Sequence, residues 1–120
     1  MHLVAYFIHE KLQAYVIAVR FASRVHELLA RIGKGHAELT DQLHRASISL
    51  VLNTAEGAGE FSVAEKRRFY RMALRSGNEC AATLYIFLLL GVIDATTIES
   101  LRNDLAQAVA MLTKLAIPSS

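Results

Sequence analysis

The chain of 120 residues has one cysteine, one proline and no tryptophan. A lone Cys80 excludes an internal disulfide and any cysteine-cluster metal site, and it fits a reducing compartment. With so little proline, breaks in the chain are few, so long uninterrupted elements are expected. No stretch alternates apolar and polar residues with period two over a useful length, which argues against a sheet. No apolar run reaches the roughly 20 residues that cross a bilayer. The candidate "AATLYIFLLLGVI", 81–93, is instead expected to be the buried end of a helix. The patch from Leu3 to Ile8 is too short for a signal-peptide core, lacks a basic flank and runs straight into Glu10 and Lys11. A cytoplasmic protein without a membrane role is the expectation.

What is present is apolar and mildly basic. Hydrophobic residues make up 53% of the chain, and the formal net charge is +2. The length suits one domain, 1–120. A small domain buries a smaller share of its surface than a large one. An apolar excess in a short chain therefore calls for more burial than one subunit offers, and self-association supplies it.

Four helical periodicities are visible. In the first, about 8–32, Leu12, Tyr15, Val19, Ala22 and Leu29 form one stripe, with Ile17, Phe21, Val25, Leu28 and Ile32 beside it. "GKGH", 33–36, is expected to end it by C-terminal glycine chemistry. The second, about 41–58, has Thr40 as its expected N-cap. It is apolar on two sides: Leu43, Ala46, Leu50, Asn53 and Gly57 on one, Ile48, Val51, Leu52 and Ala55 on the other. Such a helix is central to its fold or faces a second subunit. The third, about 63–90, opens with Ser62 and Glu65 as a capping box and closes at Gly91. Phe69, Ala73, Cys80, Leu84 and Phe87 form its inner face. The fourth, about 97–116, opens with Thr96 and Glu99, carries the heptad-like seam Ile98, Leu101, Leu105, Ala108, Leu112 and Leu115, and stops before Pro118. Four helices with short connections make an all-α, antiparallel, up-down-up-down four-helix bundle.

The segment "NTAEGAGEFS", 53–62, could be mistaken for a phosphate loop. Such a loop needs a strand before its glycines, and here the preceding residues are helical. The third glycine of a dinucleotide fingerprint would fall at Ser62, no Gly-Lys-Ser/Thr follows, and Glu56 and Glu60 would repel phosphate. Gly57 and Gly59 are therefore read as packing and helix-termination residues.

The functional candidate lies in "EKRRFYRMALRSGNE", 65–79, which carries no acid between 66 and 78. At 3.6 residues per turn, Arg67, Arg68, Arg71 and Arg75 share an arc opposite Phe69, Ala73 and Cys80. A basic stripe on an exposed helix face can bind RNA or DNA by displacing counterions from phosphates. The plainer reading is a solvated face, partly neutralised by an Arg75–Glu79 pair at i,i+4. Asn53, Glu56 and Glu79 read as hydrogen-bonding residues that fix register. The histidines His2, His9, His26, His36 and His44 form no ligand set, so neither a metal nor a cofactor is expected. Cys80 has no activating neighbour in sequence, and no Ser-His-Asp arrangement is visible, so no catalytic residue is assigned.

The stretch 39–79 resembles the four helix bundle protein family, also called the 23S rRNA intervening-sequence-encoded protein family. The resemblance rests on Leu39, Thr40, Gln42, Leu43, Arg45, Ala46, Ser49, Asn53, Ala55, Glu56, Gly57, Gly59, Phe69, Ala73, Ser76 and Glu79. The opening "HEKLQAYVIAV" is similar too, with Tyr15 where tryptophan is common. There are departures: Val51 and Leu52 replace a frequent Pro-Ser, Arg75 replaces a usual glycine, and Gly77 replaces a usual leucine, which would loosen the third helix. The resemblance implies a four-helix subunit, assembly as a homopentamer and no catalytic residues. Related reading frames lie in insertions within rRNA genes, and a distant relative is a basic pentamer that binds nucleic acid and a reverse transcriptase. The expectation is a non-enzymatic, self-associating bundle that binds RNA or DNA through the third helix; the alternative is a protein-binding scaffold.

Overall fold

A computed structural model describes residues 7–117. Met1 to Tyr6, which include His2 and the start of the N-terminal apolar patch, lie outside the described residues, as does Pro118. The chain forms α1 (Gln13–Arg31), α2 (Ala37–Gly59), α3 (Val63–Leu89) and α4 (Ala95–Ala116), with 3-10 turns at Ile8–Lys11 and Lys34–His36. Among the described residues there is no strand, and no helix is long and apolar enough to cross a membrane. Helices joined by such short connections must run antiparallel. Each packs on its sequence neighbours, and α1 closes against α4, giving the up-down-up-down bundle.

The core is built from one face of each helix. Phe21 and Val25 of α1, Leu43 and Leu50 of α2, Leu84 and Phe87 of α3, and Ile98, Leu101 and Leu112 of α4 are fully or almost fully buried. In α4 the seam keeps the heptad spacing through Leu112, then passes to Ala116 while Leu115 turns outward. A straight helix at 3.6 residues per turn drifts off a seven-residue repeat, so the last contact falls one position later. Arg24 ties α1 to α4, donating to Asp104 Oδ2 at 2.7 Å and to Ser100 Oγ at 2.8 Å.

Several helix ends differ from expectation. Residues 8–11 form a 3-10 turn, and α1 starts only at Gln13. Ile32 and Gly33 end α1 in extended backbone, with Gly33 at φ −70°, so the left-handed glycine cap is not used there. The cap residue of α2 is His36 and not Thr40, which lies one turn inside the helix. The cap of α4 is Asp94: its carboxylate accepts from Thr97 N at 3.0 Å and from Thr97 Oγ1 at 2.7 Å. An ionised Asp is a better acceptor for orphan amides than the Thr96 hydroxyl, and the two Thr97 bonds hold its pKa below the usual carboxylate range. At α3, Ser62 Oγ accepts from Glu65 N at 3.3 Å. Its other end is a Schellman closure, with Gly91 N bonding Leu88 O, Val92 N bonding Phe87 O, and Gly91 at φ +70°.

Two expected burials also change. The inner stripe of α1 and the Leu43 side of α2 form core, but Val19, Ile48 and Leu52 remain exposed. With Tyr15, Ala22 and Val51 they line an open groove between α1 and α2. The end of α3 is not buried all round: Thr83, Leu84 and Phe87 face inward, while Tyr85, Ile86, Leu89 and Leu90 are exposed. A bundle helix has one inward face, so a run that is apolar on every side must show part of itself to solvent.

Candidate nucleic-acid interface

Helix α3 displays its arginines because its apolar residues have claimed the inner face. Tyr70, Ala73, Gly77, Cys80 and Leu84 are buried. Arg71 and Arg75 fall on the opposite side and are exposed, while Arg67 is half-buried. Successive members of the set 67, 71 and 75 are one turn apart, about 6 Å along the axis. Among the described residues none of these three makes a hydrogen bond or an ion pair. The Arg75–Glu79 pair does not form: Glu79 Oε2 instead accepts from Gln42 Nε2 of α2 at 3.4 Å.

Arg68 differs from the other three. Its Nε and Nη2 donate to Glu65 Oε2 at 3.1 and 2.9 Å, and its guanidinium lies 4.5 Å over the Phe69 ring. The Glu65 carboxylate raises its pKa further above neutrality, through hydrogen bonding first and charge second. Its charge is thus largely offset locally. Lys66 also leaves the basic run: its Nζ donates to the carbonyls of Ala58 at 2.9 Å and Gly57 at 3.3 Å, capping the C-terminus of α2. A cation there satisfies orphan carbonyls and complements the helix dipole. Nothing in the sequence distinguishes this lysine from its arginine neighbours.

The remaining motif residues work mainly between α2 and α3. Asn53 Nδ2 donates to Ser49 O and Ser49 Oγ, both at 3.0 Å. The Ser49 and Ser76 hydroxyls are 2.7 Å apart across the two helices. Ser76 Oγ also donates to Met72 O at 3.3 Å. These bonds satisfy the polar atoms at a half-buried seam and fix how α2 and α3 register. Arg45 pairs with Asp41 at 3.6 Å on the surface. Glu56 is exposed and makes no hydrogen bond or ion pair among the described residues.

Gly57 is buried against Tyr70, and a Cβ placed there would lie 2.6 Å from Tyr70 Cε1. Gly59 has open space at the corresponding position and simply ends the helix. Gly77, expected to loosen α3, packs tightly: its Cβ position lies 3.1 Å from Val109 Cγ2 of α4. The missing side chain is traded for a closer approach of the two helices.

Burial pushes the Cys80 thiol up to about 12, with the nearby Glu79 charge adding to the effect. The nucleophilic thiolate is scarce at neutral pH, as befits a packing residue. Among the described residues no three His, Cys, Asp or Glu side chains gather as a metal-binding group.

The family model described as 23S rRNA-intervening sequence protein matches residues 10–114. A solved structure, of a protein with unknown function from the S23 ribosomal protein family of Bacteroides thetaiotaomicron VPI-5482, superposes with a TM-score of 0.81. It is 21% identical, and the match covers 88% of this chain and 99% of that one. At that identity the likeness shows the shared fold. No curated protein matches the chain.

Proposed function

The chain belongs to the 23S rRNA-intervening sequence protein family, and from that premise we propose that it is a non-catalytic, self-associating bundle that binds RNA or DNA through the outer face of α3. The observation that carries this reading is the set Arg67, Arg71 and Arg75, three cations on one helix face with no acidic partner among the described residues. Proteins usually pair or disperse surface charge. An unpaired row at one-turn spacing suits a polyanion, and the family's name connects it with ribosomal RNA. Recognition rests on backbone charge and shape.

Self-association rests on the groove between α1 and α2. Tyr15, Val19, Ile48 and Leu52 leave an apolar surface that a second copy would cover, and family resemblance points to a pentamer. Repetition around a ring would add the fields of the arginine rows. The test is binding of structured RNA and duplex DNA to the assembled protein and to the variant Arg67→Glu, Arg71→Glu, Arg75→Glu. Loss of binding in a variant of native mass is expected. Equal binding by the variant overturns the site, and no binding by the parent at low salt overturns the reading.

One observation favours a second reading, a scaffold for another protein. Beyond Arg75, the outer face of α3 turns apolar at Tyr85, Ile86 and Leu89. A protein partner would bury these side chains, whereas a phosphate backbone would leave them in water. Co-purification of a stoichiometric protein, lost on replacing Leu89 and Ile86 by Ser, is the outcome that would favour it.

A further inference from the structure

Phe61 is the most exposed large apolar side chain among the described residues, at 100% relative exposure. It sits in the three-residue connection between α2 and α3, immediately ahead of the arginine row. The connection is braced on both sides. Glu60 N bonds Gly57 O at 3.4 Å, Lys66 reaches back to the end of α2, and Ser62 caps α3. A phenylalanine held in water on a short braced turn loses its transfer free energy and gains nothing from the fold. Its neighbour Val63 is also exposed.

We infer that Phe61 is a stacking platform for an unpaired nucleobase, on a strand whose phosphates follow Arg67, Arg71 and Arg75 along α3. This rests on the nucleic-acid reading above and narrows its ligand to single-stranded segments: loops, bulges or ends. A paired base hides both faces in the helical stack, whereas an unpaired one can lie on an aromatic ring. The one-turn spacing of the arginines is comparable to that of successive phosphates along an extended strand. Glu60 and Glu65 both lie near Arg68 and repel phosphate at the turn itself. The turn therefore offers only the neutral ring to a base, and the phosphate contacts are assigned to the other three arginines further along α3. The braced connection fixes the backbone that carries the ring before the strand arrives, so binding has only the side-chain rotamers left to order.

The chain has no tryptophan, so Phe61→Trp introduces a single indole at the platform, excited to the red of the four tyrosines. The probes are oligouridylate, oligothymidylate and a blunt RNA duplex, titrated into the assembled protein. Expected is quenching of the introduced indole by the unpaired strands and not by the duplex. Phe61→Ala should weaken binding of the unpaired strands at least about fivefold and leave duplex binding and the salt slope unchanged. The two single strands separate RNA from DNA as the source of the base; quenching by either supports the platform. Three results overturn it. If Phe61→Ala binds single strands as the parent does while the arginine variant loses them, the charge reading survives and the platform falls. If Phe61→Ala changes the assembled mass, a second copy covers the ring. If the parent binds no nucleic acid at all, both readings go.

Discussion

At the scale of single residues, the tightest constraint is Gly57 under the Tyr70 ring. Any side chain at 57 must displace a ring that is itself almost fully buried. Gly57→Ala is expected to cost about 1–3 kcal/mol by overpacking. In a Tyr70→Leu background the same change should cost much less, because the obstructing ring is gone. Equal costs in both backgrounds, read from denaturant midpoints, would show that Tyr70 is not the reason for glycine. Cys80 sets a second expectation. Its pKa rises from 9.0 unfolded to about 12 folded. The folded state therefore favours the neutral thiol. That preference costs nothing below pH 9, where the thiol is neutral in both states. As pH climbs from 9 toward 12 the unfolded chain ionises first and stability falls. Tyr70, also raised by burial, acts in the same direction. The Tm of the parent should drop over that window, and Cys80→Ala should flatten part of the drop. A drop of the same size in the variant would contradict the assignment.

At the scale of helices, periodicity decides where an element lies and local polar chemistry decides where it ends. The apolar spacing of α3 locates Val63–Leu89 almost to the residue, since Ser62 and Gly91 mark its ends in ways sequence shows. The start of α4 is less legible because Asp94 and Thr96 are both good caps, and the choice depends on the Thr97 side chain turning back to Asp94. Asp94→Ala is expected to cost about 1 kcal/mol and Thr96→Ala much less; the reverse order in thermal melts would restore Thr96 as the cap. The arginine row is legible because opposite faces of a helix follow from 3.6 residues per turn. The separate fates of Lys66 and Arg68 are not, because each depends on groups brought in by folding: the carbonyl end of α2, and the rotamers of Glu65 and Phe69. The role of Gly77 is hidden for the same reason, since its fit against Val109 needs the position of α4.

At the scale of the whole molecule, the described residues leave apolar surface at the Phe61–Val63 turn and over two wider areas, the groove lined by Tyr15, Val19, Ile48 and Leu52 and the far half of α3. Leu52 remains 58% exposed on the helix that sequence marks as apolar on two sides. Ile48→Asp with Leu52→Asp should lower the mass seen by light scattering at micromolar concentration and leave the helical content intact. An unchanged multimer would move the contact to another face.

In the proposed function, phosphate charge met by three arginines that are unpaired among the described residues holds a nucleic acid on α3. The most direct measurement is the slope of log affinity for structured RNA against log salt concentration, taken for the parent and for Arg71→Ala. Three phosphate contacts on one engaged subunit predict a slope of about −2 to −3, steeper in proportion if more subunits engage, and shallower by nearly one per engaged subunit in the variant. A slope near zero, or one that Arg71→Ala leaves unchanged, would rule out phosphate binding by this arginine row.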